Sequence, residues 1–484
     1  MKTLIEKIEN FITAPVVIIG DIMLDRYVEG DVSRVSPEAP IPILRQQKVA
    51  AFAGGAANVA AKVAGLEATA RLIGIVGKDE AGKALLSELQ RLGVDTSNVS
   101  QSGRPTTLKT RLIARNQQML RLDREDSSPL TAHEEKQVIA GIRRAMKGAA
   151  GLIIEDYGKG LLTKSVLGTA ISTAKKARIP IVVDPNGRNY SRYKGATVIT
   201  PNNSEATLGA NLPDEPSYRE EAGKKLAKET AAVVAVTVGA DGIILVYPNG
   251  DCIHVPTKPV EVFDVTGAGD AVAAVMCLAL ASGEDMLTTA RLANVAGGVI
   301  VRQFGVGKLS RLDMIRYIGH IMGDASHKVV DRETAAKYAE DARRVGRKVV
   351  FTNGCFDLLH SGHIRSLEQS RAQGDMLIVG INSDASVKRL KGPERPVIEQ
   401  EGRARVLAAM EAVDLVVIFD EVSVLSLVKA IKPDVLVKGG SYKKEEVVGW
   451  DFVESYGGRV YLVPLQPGES TSNIVARIRK KEKR

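Results

Sequence analysis

Short apolar runs that empty into glycine, asparagine or aspartate, and alternate with helical patterns, constrain this chain more than any other feature. Pro15-Val16-Val17-Ile18-Ile19-Gly20 runs into Asp21, and strand-like runs recur at 70–76, 152–154, 181–183, 198–200, 233–238 and 242–246, with another at 41–49. Helical patterns fall between most of them, for example at 132–147 and 218–230, and an alanine-rich helix opens at Gly54-Gly55-Ala56-Ala57-Asn58 and runs to about Ala64. Such alternation implies a largely parallel sheet covered on both faces. The segment 104–122 alternates more like antiparallel strands and reads as a small flap. Over 311–345 the chain turns polar and helix-like, without strand candidates. A second α/β series then begins, with strands at 348–352, 376–381, 414–419, 434–437 and 459–463 and a helix from about 362. The predicted organisation is a first domain at 1–320, a helical linker at 321–345 and a second domain at 346–484.

A chain of 484 residues exceeds one ordinary core. Hydrophobic content of 44% with 25% charged residues is that of a soluble globular protein. The apolar run 271–282 is about half a membrane span and reads as a buried helix. Three cysteines, Cys252, Cys277 and Cys355, lie far apart without metal spacing, and no signal-peptide pattern opens the chain, so a reducing, cytoplasmic setting is expected. Net charge is +9, yet aromatics are only 4% and no nucleic-acid motif is present. The basic tail 477–484 reads as a solvated end. Positive charge also suits ligands that are all phosphorylated. No nucleic acid and no membrane are expected as partners.

Asp264-Val265-Thr266-Gly267-Ala268-Gly269-Asp270 places small residues between two carboxylates, directly before an apolar helix. A helix N-terminus carries unpaired amides and partial positive charge, and glycine lets a phosphate approach the main chain. A neighbouring Asp can accept the proton of an attacking hydroxyl. Taken alone the stretch reads first as a helix cap with a glycine turn. Other polar signals sit just beyond the strands, where open α/β sheets place their ligands. Asn202-Asn203-Ser204-Glu205 sets an amide and a carboxylate three residues apart, suited to orienting the waters of a hydrated Mg²⁺. Val236-Thr237-Val238-Gly239-Ala240-Asp241-Gly242 reads alone as an ordinary hairpin, and Asp184-Pro185-Asn186 as a turn or part of a phosphate edge.

In this order these pieces resemble the ribokinase-like sugar kinase family, over roughly residues 10–310. The resemblance implies a ribokinase-like doubly wound sheet with a small β flap, and transfer of the γ-phosphoryl group of ATP to a sugar hydroxyl. It makes Asp270 and Asp264 the candidate bases: the Gly-Ala-Gly-Asp turn points to Asp270, the whole-chain resemblance slightly to Asp264. Gly267, Ala268 and Gly269 would stabilise the transferring group. Asn202, Asn203, Ser204, Glu205, Thr237, Gly239 and Gly242 would face ATP, with Glu205 reaching Mg²⁺ through water. Gly20, Asp21, Asp25, Gly54, Gly55 and Asn58 are the implied sugar contacts. Val265 stands where many sugar kinases carry Thr, removing one hydroxyl. Arg34, Lys109, Arg111 and Arg121 are candidates to hold a second phosphate.

The second series carries Thr352-Asn353-Gly354-Cys355-Phe356-Asp357-Leu358-Leu359-His360-Ser361-Gly362-His363, a strand running into two histidines three apart. Imidazoles there can donate to phosphate oxygens while the helix N-terminus adds its field. A metal pair is the rival reading, but no third ligand and no Glu base lie nearby. The stretch resembles the cytidylyltransferase-like nucleotidyltransferases, which implies a Rossmann-like unit and attack of a sugar-phosphate oxygen on a nucleotide α-phosphate. Further matching pieces are Asn382-Ser383-Asp384, Lys388 to Gly392, Arg395-Pro396, Lys438-Gly439-Gly440 and Ser470 to Ile474. The implied site is His360 and His363 as catalytic groups, with Thr352, Asn353, Gly354, Phe356, Asp357, Lys391, Lys438, Ser470 and Thr471 around the nucleotide. Two departures are Glu401-Gly402-Arg403, where relatives have Glu-Arg adjacent, and Ser441 where Gly-Gly-Asp-Tyr is expected.

A sugar kinase fused ahead of such a nucleotidyltransferase resembles the bifunctional heptose kinase/adenylyltransferase family of lipopolysaccharide-core biosynthesis. Gly20 to Tyr27, Ser36 to Pro40, Arg115 to Gln118 and Asn382 to Ser386 agree locally. The resemblance implies C1 phosphorylation of D-glycero-β-D-manno-heptose 7-phosphate, then adenylyl transfer from ATP to heptose 1-phosphate. It also implies a homo-oligomer, with self-association through the kinase flap. The same chemistries on another sugar, or with CTP or GTP, remain the alternative.

Overall fold

The computed structural model describes residues 2–114, 117–258, 262, 264–303, 307–322, 325–344, 346–440 and 443–463. Two units separate, Met1–Tyr317 and Ile318–Arg484. Arg115, Asn116, Ser441, Tyr442 and everything from 464 onward, including Ser470 and Thr471, lie outside the described residues.

In the first unit the strands are β1 (Val16–Gly20), β2 (Ile22–Val35), β3 (Pro42–Gly55), β4 (Ala70–Gly77), β5 (Asp95–Ser102), β6 (Thr107–Ala114), β7 (Gln117–Arg124), β8 (Gly151–Glu155), β9 (Ile181–Asp184), β10 (Val198–Ile199), β11 (Val233–Thr237), β12 (Ile243–Val246) and β13 (Cys252–Val255). The helices are α1 (Lys2–Glu9), α2 (Ala56–Gly65), α3 (Glu80–Arg91), α4 (Ala132–Ala145), α5 (Lys164–Ala177), α6 (Asn203–Gly209), α7 (Arg219–Thr230), α8 (Ala268–Ala281) and α9 (Met286–Ile300), with α10 (Arg311–Met322) crossing the boundary. Nine strands form the main sheet in the order β13-β12-β11-β10-β9-β8-β1-β4-β5. The first seven strands in chain order are parallel, and β12 and β13 add an antiparallel edge. Buried on both faces, β1 and β8 read as continuous apolar runs, Val-Val-Ile-Ile and Leu-Ile-Ile.

Strand order reverses between β1 and β8, so their carboxyl ends open a crevice of the kind where such sheets bind ligands. Gly20 pairs with Glu155 there. A Cβ on Gly20 would come within 2.2 Å of the Glu155 carbonyl oxygen, so only glycine fits. Helix α8 is apolar all round and buried from Asp270 to Ala279, the signature of an internal helix. Its N-terminus faces the same crevice. The flap is larger than the sequence indicated: four strands in the order β3-β2-β6-β7, because the long β2 and β3 join the expected pair.

In the second unit six parallel strands run β14-β17-β16-β15-β18-β19. They are β14 (Val329–Val330), β15 (Val349–Gly354), β16 (Met376–Asn382), β17 (Leu415–Phe419), β18 (Val435–Gly439) and β19 (Arg459–Val463). Helices α11 (Arg332–Arg344), α12 (Ser361–Arg371), α13 (Asp384–Lys391), α14 (Gln400–Ala408), α15 (Leu425–Ile431) and α16 (Trp450–Ser455) complete it. The segment 321–345, expected as a strandless linker, is part of this unit. Val329 and Val330 pair with Val416 and Val417, and α11 packs on α15 and β17. Two residues are too short a run for a periodicity argument, and only the exposed edge of β17 makes them a strand.

Candidate functional site

The first unit's crevice gathers residues from several separate stretches. Gly267 takes a left-handed conformation (φ 77°) as the N-cap of α8, which puts Asp270 in the first helical turn. Asp270 is buried, and its Oδ2 accepts from Asn58 Nδ2 while Tyr157 OH donates to Oδ1 at 3.5 Å. Burial pushes the Asp270 carboxyl up, and the Lys62 ammonium and the Asn58 amide pull it back. Tyr157 is held protonated chiefly by the Asp270 charge, and burial adds to this, so it serves as a donor. Asp264 instead shapes the turn: its Oδ1 accepts from the Thr266 amide at 2.9 Å and the Thr266 hydroxyl at 2.7 Å. Of the three cradle amides, Ala268 donates to the Val265 carbonyl at 3.2 Å, leaving Gly267 and Gly269 at the open helix end.

Glu155, Asp184 and Asp270 each offer a carboxylate oxygen within 4.8 Å of the others. Burial, then the neighbouring Asp184 and Asp270, push Glu155 far up. Burial and the Glu205 charge push Asp184 up to about 8. Glu155 Oε2 is buried without a hydrogen-bond partner among the described residues. Three crowded carboxylates and an orphaned oxygen fit a divalent cation. Neither Glu155 nor Tyr157 was singled out from the sequence. Glu155 ends an apolar run just as Gly20 and Asp184 do, so strand-end position was a signal that could have found it.

Asn202 and Glu205 form a reciprocal capping box on α6, with contacts of 2.9 and 2.8 Å, so half of the Glu205 carboxylate is committed to the helix. Its charge still bears on Asp184 and Glu155. Asn203 and Ser204 are spent elsewhere, on Asp214 at 2.9 and 2.7 Å. The hairpin β11–β12 is real, and its Thr237 amide donates to the Pro201 carbonyl at 2.9 Å, so hairpin and capping box are one structure. Gly239 (φ 60°) faces open space, whereas a Cβ on Gly242 (φ 97°) would meet the Val255 carbonyl oxygen at 2.3 Å.

Among the expected sugar contacts, Asp25 is buried and ion-paired with Arg111, whose guanidinium lies 5.2 Å from the Tyr27 ring centroid. A Cβ on Gly54 would sit 2.2 Å from Asp25 Oδ2, and one on Gly55 (φ 56°) 2.5 Å from the Asp21 carbonyl oxygen. Asp21 also fixes backbone beside the site. Its carboxylate accepts from the amides of Lys159, Tyr157 and Leu161 at 2.9, 3.1 and 3.3 Å, fixing the turn that carries Tyr157. On the flap, Lys109 and Arg111 alternate onto one face, and Arg121 pairs directly across from Arg111. Arg34 is exposed on β2.

In the second unit strand order reverses between β15 and β18, and the histidine motif sits at that switch point. His360 caps α12 and accepts from the His363 amide at 2.9 Å through its carbonyl. Their rings lie 4.0 Å apart, and Phe356 packs 5.3 Å from His363. Both Nδ1 atoms are buried without a hydrogen-bond partner among the described residues. Burial, with His360 and Lys391 adding repulsion, pushes His363 down to about 4. Lys438 Nζ reaches Asn353 Oδ1 at 3.2 Å, and burial lowers its pKa. Thr352 is buried within β15; Gly354, its last residue, approaches the Phe356 ring, where a Cβ would lie 3.0 Å from Cε2. Asp357 pairs with Arg395 and accepts from the amides of Val397 and Ile398. Fully buried Arg403 was missed as a participant. It donates to the Cys355 carbonyl at 2.6 Å, the Ile398 carbonyl at 2.9 Å and Asp384 at 2.7 Å, joining the histidine loop to α13.

A phosphate cradle with a buried carboxylate in one unit, and paired imidazoles at a helix N-terminus in the other, define a kinase joined to a nucleotidyltransferase. The pfkB family carbohydrate kinase profile matches residues 13–312 and the cytidylyltransferase-like profile residues 351–474. The Bifunctional protein HldE of Trichlorobacter lovleyi is 43% identical over 469 residues, 96% of each chain. The first unit has the fold of Arabidopsis thaliana ribokinase, solved with ribose and ATP (TM-score 0.52, 21% identity, 63% of this chain and 99% of that one). It likewise resembles the tetrameric inhibited form of Escherichia coli phosphofructokinase-2 (TM-score 0.53, 22% identity, 64% and 98%). The chain belongs to the bifunctional HldE family, and is an enzyme with a carbohydrate kinase and a nucleotidyltransferase in one polypeptide.

Proposed function

We propose that the first unit transfers the γ-phosphoryl group of ATP to the C1 hydroxyl of D-glycero-β-D-manno-heptose 7-phosphate. The second unit transfers AMP from ATP to heptose 1-phosphate, giving ADP-heptose and pyrophosphate for lipopolysaccharide core synthesis. Family membership over 96% of the chain supports the sugar and the nucleotide. The observation that carries the phosphoryl step is the buried Asp270 carboxylate, set on the same turn as the α8 amides.

Asp270 takes the hydroxyl proton, and Asn58 and Tyr157 hold its carboxylate in place. A carboxyl raised by burial is better matched to a proton transfer near neutrality than an ordinary one. The helix end at Gly267 and Gly269 stabilises charge on the transferring group. Glu155 and Asp184 would hold Mg²⁺, with Glu205 acting through water; bound there, the ion supplies positive charge to the nucleotide phosphates. Lys109, Arg111, Arg121 and Arg34 supply cations for the 7-phosphate. In the second unit His360, His363, Lys391 and Lys438 face the phosphates of the second ATP. We place the protein in the cytoplasm, where both ATP steps have their substrate; no helix among the described residues is long and apolar enough to cross a membrane. We also propose a homodimer through the kinase flap.

Heptose 7-phosphate and ATP, incubated with the protein with and without a phosphatase that removes the 7-phosphate, test the assignment directly. ADP release without phosphatase and ADP-heptose only with it are expected; no ADP in the first arm refutes the kinase reading. Asp270→Asn is expected to lower kinase kcat by roughly 10²–10⁴-fold, and Asp264→Asn by far less. The reverse order makes Asp264 the base.

A further inference from the structure

Behind the cradle lies a cation that the scheme above does not use. Lys62 follows Asn58 by four residues on α2, so the two side chains leave the same face of the helix. The residue is 2% exposed, among the most buried large side chains of the chain. Its Nζ donates to the Gly307 carbonyl at 2.8 Å. A Cβ built on Gly267 would lie 2.9 Å from Asn58 Nδ2, 3.6 Å from Asp270 Oδ2 and 3.6 Å from Lys62 Nζ. Amide, carboxylate and ammonium therefore all back onto the glycine that caps α8.

An ammonium removed from water is costly unless it faces negative charge. Holding one carbonyl does not require it, since a neutral amide or hydroxyl would do the same. The negative charge at hand is Asp270. At the other side of the same turn is the helix end where phosphoryl charge develops, and in a site shielded from water a fixed charge acts strongly. The bond to Gly307 also ties Lys62 to the stretch that leads into α10.

We propose that Lys62 is a positioning residue of phosphoryl transfer, a fixed internal counter-charge that holds the Gly267–Asp270 turn and lends positive potential to the transferring group. The inference rests on the assignment of that step to the Asp270 cradle, and the unaltered protein's rate of ADP formation, measured first, checks that assignment separately. Lys62→Met keeps the length and apolar stem without the charge. Its kinase kcat is expected to fall roughly tenfold to a hundredfold, with KM for sugar and ATP within about threefold and adenylyl transfer unchanged. In Lys62→Ala, where a cavity replaces the side chain, added methylammonium is expected to restore part of the lost kcat, while tetramethylammonium at equal ionic strength does not. A Lys62→Met enzyme with full kcat overturns the proposal. So does a Lys62→Ala enzyme whose loss neither ammonium ion relieves, since that loss would come from packing alone.

Discussion

At the scale of single residues, the two sites use burial in opposite directions. Carboxylates of the kinase crevice are pushed up, because desolvation and like charges both disfavour their charged forms. His363 is pushed down to about 4 from an ordinary 6.5, because its charged form is the disfavoured one. It is therefore neutral at pH 7 in the free enzyme. As pH falls, the unfolded chain takes up this proton before the folded one does. The stability contributed by the neutral, buried ring is complete above about pH 6.5 and is lost as pH falls from there through about 4. His363→Gln should accordingly lose less stability than the wild type between those two values, read as denaturant midpoints of the second unit. Equal losses would mean that the ring is not buried as described. Val265 is 68% exposed, so the hydroxyl missing there relative to many sugar kinases is missing from the surface.

At the scale of elements, alternation decides what the flap presents. On β7, Arg121 alternates with Leu120 and Leu122, which are 57% and 64% exposed. Neighbouring leucines this open on one sheet face fit the proposed self-association through the flap. Leu122→Asp is expected to convert the proposed dimer to monomer in sedimentation velocity at micromolar concentration; an unchanged dimer would place the interface elsewhere. The main sheet was legible because each central strand is buried on both faces and so forms an unbroken apolar run. β14 and β5 were not, the first being two residues long and the second, Asp-Thr-Ser-Asn-Val-Ser-Gln-Ser, mostly polar. β5 is an edge strand, and edge pairing satisfies backbone groups without demanding apolar side chains.

At the scale of the whole molecule, two sheets with separate switch points carry separate chemistries. Each active site draws its described residues from its own unit. An Asp270→Asn protein mixed with a His363→Ala protein, with the phosphatase present, should therefore form ADP-heptose at about half the rate of an equal total amount of wild type, if each unit acts independently. Formation by neither protein alone and none by the mixture would show that the two activities need each other within one chain.

Taken by itself, the sequence determined both α/β series, the phosphate cradle, the histidine motif and the family, because each is written in local spacing along contiguous stretches. Tertiary structure alone decided which polar groups meet. Asn58 and Tyr157 reach Asp270 across 212 and 113 residues of chain, and Lys62 turns toward it from α2. It also decided that Asp21 and Asp357 serve backbone amides, and that Asp264 serves its own turn. A carboxylate's role depends on which donors the fold leaves unpaired beside it, and that is a property of packing between strand ends that no local spacing records.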